Sequence, residues 1–183
     1  MRIATFFVLA ATLLGSPAQS FSDTKHPAPS PYTALTLRAV KSLSDQEISD
    51  LRAGRGMGLA LAAELNGYPG PLHALELADA LELAPSQRMK TQAVLASMKA
   101  RTTAIGDKII AEETRLDSLF AGRTIDPKSL AASTAAIGRL RGALRAAHLS
   151  AHLAMIDIMT SQQISRYAEL RGYKSSHGNH GSP

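Results

Sequence analysis

Cysteine is absent from the 183-residue chain, and its absence excludes several kinds of protein. Without a thiol the chain can form no disulfide and no thiolate metal site. It also cannot carry the lipid that bacterial lipoproteins attach to cysteine. A disulfide-stabilised fold, a cysteine-ligated metal centre and a cysteine-linked lipid anchor are therefore all excluded.

Tryptophan is absent as well, and aromatic residues make up only 4% of a chain that is 45% hydrophobic. The core must therefore be built from leucine, alanine, isoleucine and methionine, which suits helices packed at close range. Runs of β-branched residues with the two-residue alternation of a strand are also missing. These absences predict an all-α fold.

Only the N-terminal segment contains a long hydrophobic run. Arg2 is followed by an apolar stretch over residues 3–14, and Ala18-Gln19-Ser20 places small residues where a signal peptidase would cleave. The stretch is shorter than the roughly 20 residues that a membrane-spanning helix needs. We therefore predict a signal peptide over residues 1–20 and a soluble protein in a bacterial periplasm.

The formal net charge of +5 is spread along the chain, with basic residues interspersed among acidic ones. This pattern indicates a moderately basic surface that is open to anionic partners, and a solvated surface is the simpler interpretation. Export and the lack of stacking aromatics argue against nucleic acid as a partner.

Composition divides the chain into four parts. After the signal peptide, Pro27, Pro29 and Pro31 among polar residues indicate a flexible linker over residues 21–42. The helical domain is predicted over residues 43–173. Residues 174–183 form a polar segment rich in Ser, Gly and His that we expect to be disordered.

Three helix starts share one pattern, an apolar residue followed by Ser or Thr and, three positions later, Gln or Glu. The copies begin at Leu43, Leu83 and Met159. In such a capping box the hydroxyl accepts from the amide of the third helical residue, whose side chain accepts from the amide of the cap. The middle copy has Ala84 in place of the hydroxyl but keeps a proline and a glutamine.

Caps and hydrophobic periodicity predict five helices. They run over residues 45–65, 72–81, Pro85 to a C-cap at Gly122, Pro127 to the third capping box, and 161–171. Glycines at 54, 56 and 58 indicate close packing or a kink in the first helix, because no strand precedes them as a nucleotide loop would require.

The two long helices are expected to form an antiparallel hairpin, because a short turn joins them and each has an apolar stripe. The stripe on the first long helix is formed by Leu95, Met98, Thr102, Ile105, Ile109, Glu112, Leu116 and Leu119. The remaining helices are too short to cover this stripe, which predicts a homodimer in which the hairpins pack together.

His148, His152, Met155 and Met159 fall on one face of the second long helix, because they are four, three and four positions apart. Imidazole and thioether groups together suit copper and also nickel, cobalt or zinc. This face is therefore a candidate metal site. The alternative is that the methionines fill the core and the histidines lie at the edge of a groove.

A second element must complete such a site, because one helix face rarely encloses a metal ion. His73 with Glu76, or Glu64, are the candidates from the first half of the chain. His177 and His180 in the C-terminal segment form a weaker second candidate for metal capture.

Motifs for catalysis are missing. The sequence contains no HExxH metalloprotease motif and no serine placed in a strand-turn-helix elbow. We predict a protein that acts by binding, is not an enzyme and uses no organic cofactor.

Two segments resemble motifs of the Spy/CpxP superfamily of periplasmic stress proteins. Leu81–Gln87 (LELAPSQ) is similar to L-x-L-T-P-x-Q, and His152–Tyr167 (HLAMIDIMTSQQISRY) is similar to H-x-x-x-M-x-x-x-L-T-x-x-Q-x-x-x-Y. Over residues 72–173 the chain looks most like the heavy-metal-resistance branch. The resemblance places the methionine ligand of the metal sensors at Met155 and their histidine ligand at Ala151, one residue before His152.

The resemblance implies a hairpin that dimerises into a curved cradle. It also implies either metal sensing for a membrane-bound regulator or the holding of unfolding clients without ATP. We expect a periplasmic protein that senses or sequesters heavy metals. The alternative is a chaperone with a basic, apolar concave face edged by Arg139, Arg141 and Arg145.

Overall fold

The computed structural model describes residues 29–173, so the predicted signal peptide and the C-terminal segment from residue 174 lie outside the described residues. The described residues 29–33 and 34–173 belong to two separate compact units. In the described part of the first unit, the amide and the hydroxyl of Thr33 both donate to the carbonyl of Ser30, at 3.0 and 2.7 Å.

One 3-10 helix and six α-helices, with no strand, make up the secondary structure of the described residues. The 3-10 helix is Thr33–Leu37, and the α-helices are α1 (Asp45–Arg52), α2 (Leu61–Glu64), α3 (Pro71–Glu76), α4 (Pro85–Ala121), α5 (Pro127–Ile156) and α6 (Ser161–Leu170). The predicted all-α fold is confirmed. No helix in the described part of the chain combines the length and hydrophobicity needed to cross a membrane.

The two long helices, α4 and α5, pack along each other as an antiparallel hairpin, as predicted. Residues of the turn between them cap the end of α4 and the start of α5. At the end of α4 the amide of Gly122 donates to the carbonyl of Ser118 at 2.9 Å, and the left-handed backbone falls on Arg123. At the start of α5 the Asp126 carboxylate accepts from the amide of Ser129 at 2.6 Å.

The capping boxes form as predicted. The amide of Glu47 donates to the Ser44 hydroxyl at 3.2 Å, and the amide of Ser44 donates to the Glu47 carboxylate at 2.8 Å. Thr160 makes the same pair of bonds with its third helical residue. At Ala84 only half of the box remains, the bond from its amide to the Gln87 side chain at 2.9 Å.

The predicted first helix over residues 45–65 is wrong, because the chain leaves the helical path after Arg52 and returns to it only at Leu61. Gly54 and Gly58 adopt φ values of +61° and +74°, which end a right-handed helix. Gly54 also packs closely on α4, since a Cβ there would lie 3.2 Å from the Thr103 hydroxyl. Residues 53–60 therefore form a connecting loop.

The second predicted helix, over residues 72–81, is also too long. It ends at Glu76, and the chain then turns so that Leu81 and Leu83 are both buried, at 2% and 3% exposure. In a continuous helix these two residues would point about 200° apart. The turn lets both side chains enter the same core.

Two apolar clusters form the core. One joins α3, α5 and α6 and contains Ala74, Ala78, Leu81, Leu83, Met155, Met159 and Tyr167. The other joins α1 to the hairpin and contains Val40, Leu43, Leu51, Ile109 and Leu144. The end of the predicted linker takes part in this packing, because Val40 is 5% exposed and the Ser42 hydroxyl donates to buried Glu113 at 2.8 Å.

Candidate metal-binding cleft

A cleft of about 630 Å³ opens where the loop over residues 53–60, α2 and α3 meet the hairpin. His148 and His152 on α5, Met98 on α4 and Met57 in the loop line it, together with Tyr173. Its volume lies within the range of roughly 300–1,000 Å³ that is typical of small-ligand sites. The geometry of its polar groups therefore decides what it can bind.

Helix α5 brings its two histidines to the same face, as the sequence predicts, because residues four apart lie about one turn apart. Both side chains are buried, with His148 at 2% and His152 at 8% exposure. Because α5 is held along α4 for much of its length, the two imidazoles have a rigid support.

The imidazole of His152 is oriented by a backbone carbonyl. Its Nδ1 lies 2.8 Å from the carbonyl oxygen of Tyr68. A carbonyl can only accept, so Nδ1 carries the proton and the lone pair of the neutral ring is on Nε2. Metal-binding histidines in proteins are commonly held in this way by their other ring nitrogen.

His148 presents a different feature, a buried Nε2 atom that has no hydrogen-bond partner among residues 29–173. Burial, followed by the proximity of His152, lowers the pKa of His148 below its ordinary value of 6.5. The ring is therefore neutral at physiological pH. A buried polar atom without a partner costs about 1–3 kcal/mol, and a bound ion is one way to recover that cost.

Glu64 lies at the base of the cleft and is 7% exposed. Its Oε1 accepts from the hydroxyls of Tyr167 at 2.5 Å and Tyr173 at 3.1 Å, and Arg171 Nε lies 3.6 Å away. Its Oε2 lies 3.5 Å from Nδ1 of His152. Burial and then the bond to Glu64 raise the pKa of Tyr167, so this tyrosine stays a donor.

Met155 and Met159 are not part of the cleft lining. They are 0% and 5% exposed and pack in the core against Ala74, Leu81 and Tyr167. This placement favours the interpretation of both as core residues, and their role as ligands stays a prediction.

His73 does line the cleft, and its Nδ1 lies 2.8 Å from the Glu76 carboxylate. The structure thus brings His73, Glu64, His148 and His152 to one cleft. Within residues 29–173, however, no three His, Asp or Glu side chains are close enough together to hold a metal ion by themselves. His177 and His180 lie outside the described residues.

The three arginines proposed for a client-binding surface are all exposed on α5. Arg141 is engaged with Glu113 at 2.8 Å, an ion pair that joins α5 to α4. The roles of Arg139 and Arg145 in client binding stay predictions, as does that of Arg141.

Sequence reasoning assigned Met98 to the hairpin stripe and did not single out Met57, yet both line the cleft. Met98 lies on the first long helix, where the periodicity of apolar residues predicts only packing against other helices. Met57 lies in a loop that the sequence predicts as part of a helix. The position of Met98 on the apolar stripe was the only signal in the sequence that it faces other elements.

Comparisons with protein-family models, with curated proteins and with solved structures find no significant match to this chain. The resemblance to the Spy/CpxP superfamily therefore stays a prediction.

Proposed function

We propose that this protein binds a transition-metal ion in the cleft, as a periplasmic protein that senses or sequesters heavy metals. The observation that carries the proposal is the buried Nε2 of His148, which has no hydrogen-bond partner in the described part of the chain and belongs to the same helical face as His152. The Tyr68 carbonyl engages Nδ1 of His152, which leaves its Nε2 to act as a donor.

The two imidazoles fit a metal ion in their chemistry. Imidazole binds metals as the neutral ring, and burial of His148 favours that form. Within the described residues, Nε2 of His148 has no hydrogen-bond partner. A bound ion would supply a partner for this atom. Imidazole nitrogen suits copper, nickel, cobalt and zinc, so these four ions are the candidates.

The cleft offers metal ligands on a rigid helix. We therefore propose that these residues bind an ion and do not catalyse a reaction. The resemblance given above supports a homodimer and a membrane-bound regulator as partners. Both belong to the proposal.

The test is metal binding by the purified protein without residues 1–20. Equilibrium dialysis against copper, nickel, cobalt and zinc, with metal analysis of the protein, should show saturable binding of a single ion per chain. Replacing both histidines, by His148→Gln and His152→Gln, should abolish this binding. Removal of residues 174–183 and the His73→Gln variant are the controls and should keep it.

The opposite result would contradict the proposal. If the double variant binds metal normally and the shortened chain does not, the ion belongs to His177 and His180. Suppression of client aggregation that is equal in the double variant and the unmodified protein would then favour the chaperone alternative. Helical content by circular dichroism must match in all variants, so that loss of binding is not loss of fold.

A further inference from the structure

A thioether group lines the same cleft as the two imidazoles. Met98 on α4 lines the cleft and is half-buried. It also borders a shallow groove together with Ala147 and Ala151, the residues that immediately precede His148 and His152 on α5. Met98 thus borders both the cleft and a groove lined by the residues that immediately precede the two histidines.

The other donors of the cleft are engaged elsewhere. Oε1 of Glu64 accepts from two tyrosines, and its Oε2 lies 3.5 Å from Nδ1 of His152. His73 is bonded to Glu76, and Asp50 is paired with Arg55. Met98 lines the same cleft, so its thioether is a candidate for a third ligand.

We infer that the cleft selects a soft monovalent ion, Cu(I), and that Met98 supplies its sulfur ligand beside Nε2 of His148 and Nε2 of His152. This inference rests on the proposed function and specifies its metal. Soft thioether ligands select Cu(I), whereas zinc, nickel and cobalt are better served by nitrogen and oxygen donors.

Charge favours the same ion. Imidazole and thioether ligands contribute no negative charge, and the nearby carboxylate of Glu64 has Arg171 3.6 Å away. The cost of transferring an ion from water to a buried site rises with the square of its charge, so a divalent ion would pay about four times as much as a monovalent one. A neutral, buried set of ligands therefore suits a single positive charge.

We expect Met57 to contribute less to metal affinity than Met98. It belongs to the loop over residues 53–60 at the rim of the cleft and is 39% exposed. We expect it to shield the ion from water, so that its replacement weakens binding less than replacement of Met98.

The test is competition for Cu(I) between the protein and the chromogenic chelator bicinchoninate under reducing, oxygen-free conditions. Met98→Leu preserves volume and helix propensity, so the fold should be retained. We expect this variant to lose at least roughly tenfold in Cu(I) affinity, since even residues that only support a metal ligand contribute about that much. Met89→Leu is the matched control, because Met89 is on the same helix, is 66% exposed and lies outside the cleft lining.

X-ray absorption of the copper-loaded protein gives a readout of the ligand itself. The unmodified protein should show sulfur and nitrogen neighbours around copper, and Met98→Leu should show nitrogen alone.

Retention of the sulfur signal and of affinity in Met98→Leu, or loss of both in Met57→Leu instead, would overturn the assignment to Met98. Tighter binding of zinc or nickel than of Cu(I) would overturn the choice of ion. In each of these cases metal binding that depends on the two histidines still upholds the proposed function. That function fails if the unmodified protein binds none of the four metals, or if the double histidine variant binds metal unchanged.

Discussion

Tyr167 on α6 donates a 2.5 Å hydrogen bond to Glu64 on α2, across 103 positions of the sequence. Its hydroxyl also accepts from the amide of Gly70 at 3.3 Å. This hydroxyl therefore links α6 to Glu64 and Gly70, which both line the cleft. It stabilises Glu64 as a buried carboxylate.

Tyr167→Phe should lower the free energy of unfolding by about 1.5–3 kcal/mol, the range for a hydrogen bond to a charged group. Urea denaturation followed by circular dichroism measures this change. Tyr173→Phe is the comparison, because its bond to Glu64 is longer, at 3.1 Å, and its side chain is only half-buried. A loss for Tyr173→Phe as large as that for Tyr167→Phe would contradict the assigned importance of the shorter bond.

Gly106 on α4 allows α1 to approach the hairpin closely. A Cβ at Gly106 would lie 2.8 Å from the carbonyl carbon of Leu51 and closer still to its oxygen, and backbone atoms cannot give way as a side chain can. Gly106→Ala should therefore destabilise the fold by about 1–3 kcal/mol, the usual cost of overpacking.

Gly142→Ala on α5 is the matched control for that substitution, because a Cβ there would meet no atom within 4 Å. Alanine is favoured over glycine in a helix by about 0.5–1 kcal/mol, so this variant should be more stable than the unmodified protein. Thermal unfolding of both variants should give midpoint shifts of opposite sign. Shifts of the same sign would be inconsistent with the packing described.

The glutamines of two capping boxes bind each other. Gln87 Nε2 donates to Gln163 Oε1 at 2.8 Å, and Gln163 Nε2 donates to Gln87 Oε1 at 3.1 Å. Each glutamine also accepts from the amide at its own N-cap, so the pair joins the start of α4 to the start of α6.

A double-mutant cycle with Gln87→Ala and Gln163→Ala should give a coupling energy of about 0.5–3 kcal/mol, as for other residues in one hydrogen-bond network. Urea denaturation of the unmodified protein, the two single variants and the double variant supplies the four free energies. The exposed pair Arg166 and Glu169, 3.1 Å apart, should show a smaller coupling when both are replaced by alanine. Additive effects at the two glutamines would mean that their mutual bond contributes nothing.

Ser44 caps α1 and lowers the pKa of Glu47 below 4.5, through its backbone amide and then its hydroxyl. A carboxyl whose pKa is lowered by folding stabilises the folded state above its unfolded pKa. That stabilisation is lost as the pH falls through the folded pKa. The bonds from Ser44 to the Glu47 carboxylate should therefore stabilise the fold at neutral pH, and this stabilisation should weaken as the pH falls through the lowered pKa of Glu47.

Ser44→Ala should lower the free energy of unfolding by about 1 kcal/mol at neutral pH, and this difference from the unmodified protein should shrink in acid. Urea titrations at about pH 7 and about pH 3.5 compare the two conditions. Ser97→Ala, an exposed position within α4, is the control and should show no such pH-dependent loss. A difference for Ser44→Ala that is the same at both pH values would rule out the proposed coupling to Glu47.

The helix starts could be predicted from sequence because capping is a local interaction. Ser44, Asp126 and Thr160 each accept from an amide only three residues ahead, so the pattern and the bond lie within one turn. The hairpin follows from the same local signals, because the caps at Gly122 and Asp126 leave room only for a tight turn.

The break after Arg52 could not be predicted with the same certainty, because a glycine is compatible with a helix interior at modest cost. Whether Gly54 bends the chain depends on its contact with Thr102 and Thr103, which are about fifty residues away in sequence. The core position of Met155 and the cleft position of Met98 likewise depend on how α3, α4 and α5 pack. Helical periodicity identifies faces, but it does not identify which neighbour covers each one.

The turn between α4 and α5 has a practical consequence for anyone who wishes to attach a dye or a surface linker to this protein. Residues 121–124 are exposed, and each adjoining helix is closed by its own cap. Roughly 33 Å of helix separates the turn from Lys99, the residue of α4 closest to it that lines the cleft. Because exposed turns of this kind tolerate insertions, a cysteine placed there would give the chain its single thiol, at the end of the hairpin remote from His148 and His152.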